Sequence, residues 1–162
     1  MVPETTLLRR RFVTTAPEQT RALGARIGAA AEPGDVCLLE GEFGSGKTVF
    51  VQGLAAGLGV DAYVGSPSFV IVNQHQGRLT LYHVDLFRIE RLDPEIEDTV
   101  ADVIEAGGMA AIEWPELVPP DLRQGATLLR FRRGEGDARI IELETPQERL
   151  ARAAREDDAA GH

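Results

Sequence analysis

Gly41-Glu42-Phe43-Gly44-Ser45-Gly46-Lys47-Thr48 carries the densest chemistry in this chain. The octapeptide fits G-x-x-x-x-G-K-[ST], a loop whose backbone amides cradle phosphate groups. Its glycines let the backbone curl so that successive N–H groups converge on an anion. Lys47 is the one lysine among 17 basic side chains, the rest being arginine. A compact ammonium reaches between the terminal phosphates of a nucleotide, where a planar guanidinium is too wide and too rigid. Thr48 adds a hydroxyl suited to Mg²⁺.

A loop of this kind binds nucleotide; turnover also needs a carboxylate near the metal and a group that orients water. Such a carboxylate belongs at the C-terminal end of an apolar strand, where the sheet edge faces the ligand crevice. Two residues fit. Glu113 ends Met109-Ala110-Ala111-Ile112 and precedes Trp114-Pro115, and Asp85 ends the run that begins near Leu79 and precedes Leu86-Phe87-Arg88. Ser66-Pro67-Ser68-Phe69 reads locally as a turn with a proline corner. In phosphate-loop switches, however, this region carries a hydroxyl that senses the γ-phosphate and the metal. Trp114, the only tryptophan, has three open roles: core, cover over the site, or partner contact. His83 alternates with Tyr82 and Val84 and reads as a satisfied strand histidine rather than a catalytic one. His75 and His162 offer no metal-ligand spacing.

These groups must be held by strands and helices that the pattern also marks. Val36-Cys37-Leu38-Leu39, between Pro33-Gly34 and Gly41, reads as a buried strand, and Val49 to Leu58 as the helix after the loop, stopping near Gly59. Residues 7–13 form a strand. Thr15-Ala16-Pro17-Glu18 has the capping-box pattern and starts a helix to about Ala31, with Leu23 and Ile27 inward. Phe69 to Val72 and Leu79 to Asp85 are strands joined through Gln76-Gly77-Arg78, short enough for a hairpin. Asp93-Pro94 opens a helix striped by Ile96, Val100, Val103 and Ile104 and ended by Gly107-Gly108. Leu128 to Phe131 and Ile140 to Leu143 flank Gly134-Glu135-Gly136-Asp137 as a second hairpin. Thr145-Pro146-Gln147-Glu148 repeats the capping-box pattern before a helix with Glu148/Arg152 and Arg152/Glu156 spacings but little apolar face, expected to be marginal and solvated. Alternating helices and apolar strands imply a largely parallel sheet covered on both faces. The fold expected is α/β, a three-layer sandwich of the phosphate-loop NTPase type around a mixed, mainly parallel sheet. Residues 1–145 make the domain and 146–162 a charged C-terminal helix or tail.

A chain of 162 residues with a formal charge of −9 buries a real core without a disulfide or metal staple. Its acidity argues against autonomous binding to nucleic acid or an anionic membrane. Arg9-Arg10-Arg11 is too short to reverse that and reads as the solvated end of the first strand. No stretch approaches a membrane span, and the N-terminus lacks an apolar signal core. The single cysteine, Cys37, sits in an apolar strand and reads as core. A cytoplasmic protein is the simplest account.

Taken in order, four segments resemble the TsaE family, small bacterial ATPases of tRNA threonylcarbamoyladenosine biosynthesis. They are Gly41 to Thr48, Ser66-Pro67-Ser68-Phe69, Tyr82-His83-Val84-Asp85-Leu86-Phe87-Arg88 and Ile112-Glu113-Trp114-Pro115. The resemblance covers roughly residues 15–145. The third and fourth segments, with His-x-Asp-Leu-aromatic-Arg and Glu-Trp-Pro, are not general phosphate-loop features and are the discriminating ones. The family usually has threonine where Ser68 stands and aspartate where Glu42 stands. The resemblance implies that Gly44, Ser45, Gly46, Lys47 and Thr48, with the adjoining Val49, hold the phosphates. It implies that Thr48 and Glu113 bind Mg²⁺, that Asp85 is needed for hydrolysis, and that Ser66 and Ser68 belong to a switch. Pro17 and Glu18 would lie by the adenine of ATP. The partners implied are the TsaD-like transferase subunit that modifies adenosine 37 of tRNA and its inactive TsaB-like paralogue, with tRNA met only indirectly. ATP hydrolysis would reset that complex between rounds.

Three rival readings remain. A small-molecule kinase would use the same loop with an acceptor pocket and an arginine-bearing lid drawn from Arg88 to Asp98. A GTPase would need an Asn-Lys-x-Asp element, which a chain with its only lysine in the loop lacks. A non-enzymatic regulator would bind nucleotide without turnover, which Asp85 and Glu113 argue against. No arginine follows the loop in an evident finger position, so slow hydrolysis by the isolated chain is expected; a finger supplied in trans is worth about 10³ to 10⁵.

Overall fold

Val36-Cys37-Leu38-Leu39 is apolar at every position and needs cover on both faces. The computed structural model, which describes residues 6–61, 72–87, 89–91 and 93–155, gives it that cover. In chain order the elements are β1 (Leu8–Thr14), α1 (Pro17–Ala30), β2 (Val36–Gly41), α2 (Lys47–Gly57), β3 (Val72–His75) and β4 (Leu81–Asp85). Then come α3 (Pro94–Glu105), β5 (Met109–Glu113), β6 (Thr127–Arg133), β7 (Arg139–Thr145) and α4 (Glu148–Ala154), with two 3-10 turns between β5 and β6. Among the described residues the sheet has seven strands in the order β1-β7-β6-β2-β5-β4-β3. The central run β6-β2-β5-β4 is parallel, and antiparallel ladders extend it on both sides. The expected α/β sandwich around a mixed sheet is therefore what forms.

Strand alternation divides the core in two. Cys37 and Leu39 face α1, α2 and α4, packing with Leu23, Ile27, Phe50 and Leu54. Val36 and Leu38 face the other way, toward Val100 and Val103 of α3. Burial pushes the Cys37 thiol up to about 12, so it stays protonated as plain core. Arg9 lies on the edge strand β1 and pairs with Glu144 of β7 at 3.1 Å, and charge of this kind blunts an open sheet edge. Among the described residues no helix is long and apolar enough to cross a membrane.

Four glycines bring α1 and α2 into backbone contact. A Cβ on Gly24 or Gly28 would overlap the carbonyl oxygens of Phe50 or Leu54, and one on Gly53 or Gly57 those of Arg21 or Ala25. This fixes the start of α1 beside the loop that opens α2. Gly53→Ala is expected to destabilise the fold by about 1–3 kcal/mol through overpacking. A thermal melt should show it as a drop of several degrees in Tm.

Several local expectations change. Thr15 does not cap α1; Ala16 holds that position without a side-chain bond, while Gln19 Oε1 accepts from the Thr15 backbone N–H at 2.7 Å. Pro17 fixes the first helical φ, which puts the cap at Ala16 and leaves no capping box. Asp93 does cap α3, accepting from Ile96 N–H. The expected strand at Phe69 to Val72 has only its last residue inside the described region, and β3 runs on from there to His75. Thr145 does not cap α4 either: its hydroxyl bonds Thr127 across the β6–β7 hairpin and accepts from Gln147 N–H, which leaves Gln147 as the cap. Nor is α4 a solvated helix. Leu150, Ala151 and Ala154 are buried, Arg149 bridges to Asp35 and the Ala30 carbonyl, and Arg26 reaches the Ala154 carbonyl. Two alanines suffice for this face because α1 lies close enough to cover them. Of the two charge spacings in this helix, Glu148–Arg152 forms an ion pair at 2.8 Å, and Glu156 lies outside the described residues.

Candidate functional site

The loop after β2 turns on glycines that adopt conformations closed to other residues: Gly44 has φ +75° and Gly46, the residue capping α2, φ +113°. Ser45 Oγ closes the turn by donating to the Glu42 carbonyl at 2.6 Å. α2 begins at once with Lys47 and Thr48, so the amides of its first turn and the positive end of its dipole face whatever lies before it. That is the geometry of an anion cradle.

Lys47 is only 5 % exposed, and its ammonium donates to the Gly41 carbonyl. It also lies 3.7 Å from the centroid of the Trp114 ring, a cation–π arrangement. Burial lowers the Lys47 pKa, and Glu113, Asp85 and Glu116 oppose that shift. Trp114 is the one non-glycine residue with positive φ (58°) among the described residues. It follows Glu113 directly, and this backbone strain swings its ring over the loop. Phe43 of the loop and Phe87 after β4 complete an aromatic cluster, with Phe43 64 % exposed.

The two acids sit side by side. β4 and β5 are parallel neighbours, and their register pairs Asp85 with Glu113 at the strand ends. Glu113 is 3 % exposed and accepts from His83 Nε2. Asp85 is half-buried, and Oδ1 accepts from Phe87 N–H at 2.9 Å. Burial raises the Asp85 pKa; the Phe87 amide lowers it and the Glu113 charge raises it further.

A cavity of about 430 Å³ joins these parts. Gly44, Gly46, Lys47, Thr48 and Val49 line one side, Asp85, Glu113 and Trp114 another, and Pro17 at the start of α1 a third. Ser45 is not on the wall, since its hydroxyl is turned into the loop. Glu18 is exposed and also off the wall, while Thr15, Ala16 and Thr20 stand there. Ser66 and Ser68 lie outside the described residues. Thr48 and the neighbouring carboxylates form a donor set that suits Mg²⁺, which takes one or two protein carboxylates and completes its shell with phosphate oxygens and water. Among the described residues no cluster of three or more His, Cys, Asp or Glu forms a self-sufficient metal cage.

Asp137 and Arg139, from the β6–β7 hairpin, also line the cavity and were not singled out from the sequence. Arg139 Nε donates to the Gly44 carbonyl at 3.0 Å across 95 residues of chain, and the Arg133 guanidinium lies against Gly44. Nothing in local spacing announces such a contact. The His-x-Asp spacing places His83 and Asp85 on one face of β4, but nothing local marks the contact of His83 with Glu113, which lies 30 residues away on β5.

Comparison with known proteins points to one family. The family model for the threonylcarbamoyl adenosine biosynthesis protein TsaE matches residues 14–141. The chain is 40 % identical over 130 residues to the tRNA threonylcarbamoyladenosine biosynthesis protein TsaE of Bacillus subtilis, covering 79 % of this chain and 80 % of that one. It is 38 % identical over 120 residues to the protein of that name from Streptomyces coelicolor, covering 72 % and 81 %. The crystal structure of Bacillus subtilis YdiB superposes with a TM-score of 0.77 at 28 % identity, covering 98 % of this chain and all of that one. The loop, the two strand-end carboxylates and these likenesses coincide over the same stretch of sequence, and the chain belongs to the TsaE family.

Proposed function

We propose that this chain binds and hydrolyses ATP as part of the cytoplasmic machinery that makes threonylcarbamoyladenosine at position 37 of tRNA. The names of its relatives support the pathway. The observation that carries the activity is that Lys47, Thr48, Asp85 and Glu113 line one cavity at the N-terminus of α2. In this reading the amides from Gly44 to Val49 bind the phosphates. Lys47 leaves the Gly41 carbonyl to reach the terminal phosphates. Thr48 and Glu113 hold Mg²⁺, which neutralises phosphate charge when bound. Asp85 orients the attacking water and takes up its proton. Pro17 and its neighbours on α1 form the base end, Glu18 stands beside it at the solvent edge, and Ser66 and Ser68 serve the switch. The nucleotide state acts on a TsaD-like transferase subunit and its inactive TsaB-like paralogue, resetting them between rounds, so tRNA is met through them.

Arg139 is committed to the loop backbone and to the Ala138 carbonyl, so it supports the loop's shape rather than serving as a free finger. Slow turnover by the isolated chain therefore remains the expectation, with acceleration by the partner pair. Against the kinase alternative, Pro94 to Asp98 belong to α3, which Asp93 caps and buried Val100 and Val103 anchor, while Arg88 lies outside the described residues. The test is competitive binding of ATP and GTP with Mg²⁺, followed by capture of the transferase pair on the immobilised chain. ATP preference and capture by the ATP form, with release in ADP, are expected. GTP preference, or consumption of ATP that requires a small acceptor and yields a phosphorylated product, would overturn the reading.

A further inference from the structure

Along β4 every second residue, Leu81, His83 and Asp85, shares one face. The register sets them beside Met109, Ala111 and Glu113 of β5. Leu81, Met109 and Ala111 belong to the core under α2, so the rungs pass from apolar core to acidic site, with His83 on the middle rung. Its partner there is Ala111, whose small side chain leaves room for the imidazole to lean one rung up, to Glu113.

His83 is fully buried. Its Nε2–H donates to Glu113 Oε2, while Nδ1 is buried with no hydrogen-bond partner among the described residues. A buried histidine kept for structure ordinarily uses both nitrogens, commonly with a backbone carbonyl on one side. Here the single polar contact goes to the carboxylate at the candidate metal site.

We propose that His83 is a positioning residue for Glu113, and that it fixes the carboxylate so that Glu113 meets Mg²⁺ in one orientation. Outer partners of this type hold metal-binding carboxylates in place, and their loss typically costs ten- to a hundredfold in metal affinity or activity. The proposal deepens the ATPase reading and rests on it.

The test is calorimetric titration of the full chain with ATP, once with Mg²⁺ and once with EDTA. His83→Asn keeps a polar side chain but falls short of Glu113; His83→Gln places an N–H where Nε2 stood. His83→Asn is expected to weaken ATP binding about ten- to a hundredfold with Mg²⁺ and to leave metal-free binding unchanged. His83→Gln should restore the magnesium-dependent affinity. In a Glu113→Gln background, His83→Asn should have no further effect, because the two act as a unit. Unchanged magnesium-dependent binding in His83→Asn overturns the proposal, as does equal loss with and without metal or an additive loss in the double variant. If His83→Asn melts at the assay temperature, the His83→Gln arm decides: failure to keep the wild-type magnesium dependence counts against the proposal. Absence of any magnesium-dependent ATP binding in the unaltered chain is a different result and removes the ATPase reading itself.

Discussion

Replacing Lys47 with alanine is expected to lower ATP turnover by roughly two to three orders of magnitude. One preorganised charge at a transferring phosphate is worth about 3–4 kcal/mol, and no other lysine exists to stand in. The side chain is already sequestered from water, with its ammonium on the Gly41 carbonyl and under the Trp114 ring. Three acids, Glu113, Asp85 and Glu116, stabilise its charge against the cost of burial. Phosphate oxygens arriving at the loop would offer a stronger anionic partner than a neutral carbonyl. The ammonium is thus held close to its work at modest cost and can be drawn off by substrate. Lys47→Arg should not rescue activity, because a planar fork does not fit the space an ammonium fills. Single-turnover kinetics on variants shown by circular dichroism to be folded provides the measurement. Near-normal turnover in Lys47→Ala would contradict the assignment.

What the sequence discloses and what it hides follow from chain separation. The phosphate loop is legible because its octapeptide specifies its own geometry: glycines at the positive-φ positions, and a helix starting at the lysine. Asp85 and Glu113 are legible as strand ends, and parallel pairing of β4 with β5 then places them together. Both hairpins are legible from short turns between apolar runs. The pairing of β1 with β7 is not, since it joins the two ends of the domain and no local pattern encodes it. For the same reason Asp137 and Arg139 go unnoticed in the sequence: a hairpin far along the chain closes the cavity only after β6 has paired with β2. The docking of α4 is hidden differently. Its apolar face consists of one leucine and small alanines, which look insufficient until α1 is seen to cover them. Glu18 is exposed beside Pro17, which lines the cavity.

Asp85→Asn is expected to reduce kcat by roughly 10²–10⁴, the usual contribution of a positioned proton acceptor, with ATP affinity close to that of the unaltered chain. It should also make the protein slightly more stable. Burial raises the Asp85 pKa from its ordinary value, and the nearby Glu113 charge adds to this, although the Phe87 amide, His83 and the Lys47 ammonium pull the other way. A folded-state pKa above the unfolded one means that the folded chain binds the proton more tightly. The ionised carboxylate therefore opposes folding at neutral pH, and that cost is relieved as pH falls through the raised pKa. Asparagine is neutral throughout and keeps an oxygen to accept the Phe87 N–H. Since Asp85 is only half-buried, water screens much of the effect, and the gain in Tm should be small. It should shrink as pH is lowered through the titration of Asp85 and vanish once the carboxyl is protonated in both states. Lost turnover with a lower Tm would instead mark Asp85 as a structural residue, and unchanged turnover would remove it from the reaction. Higher stability with lost activity is the signature of a carboxylate retained for chemistry at the expense of the fold.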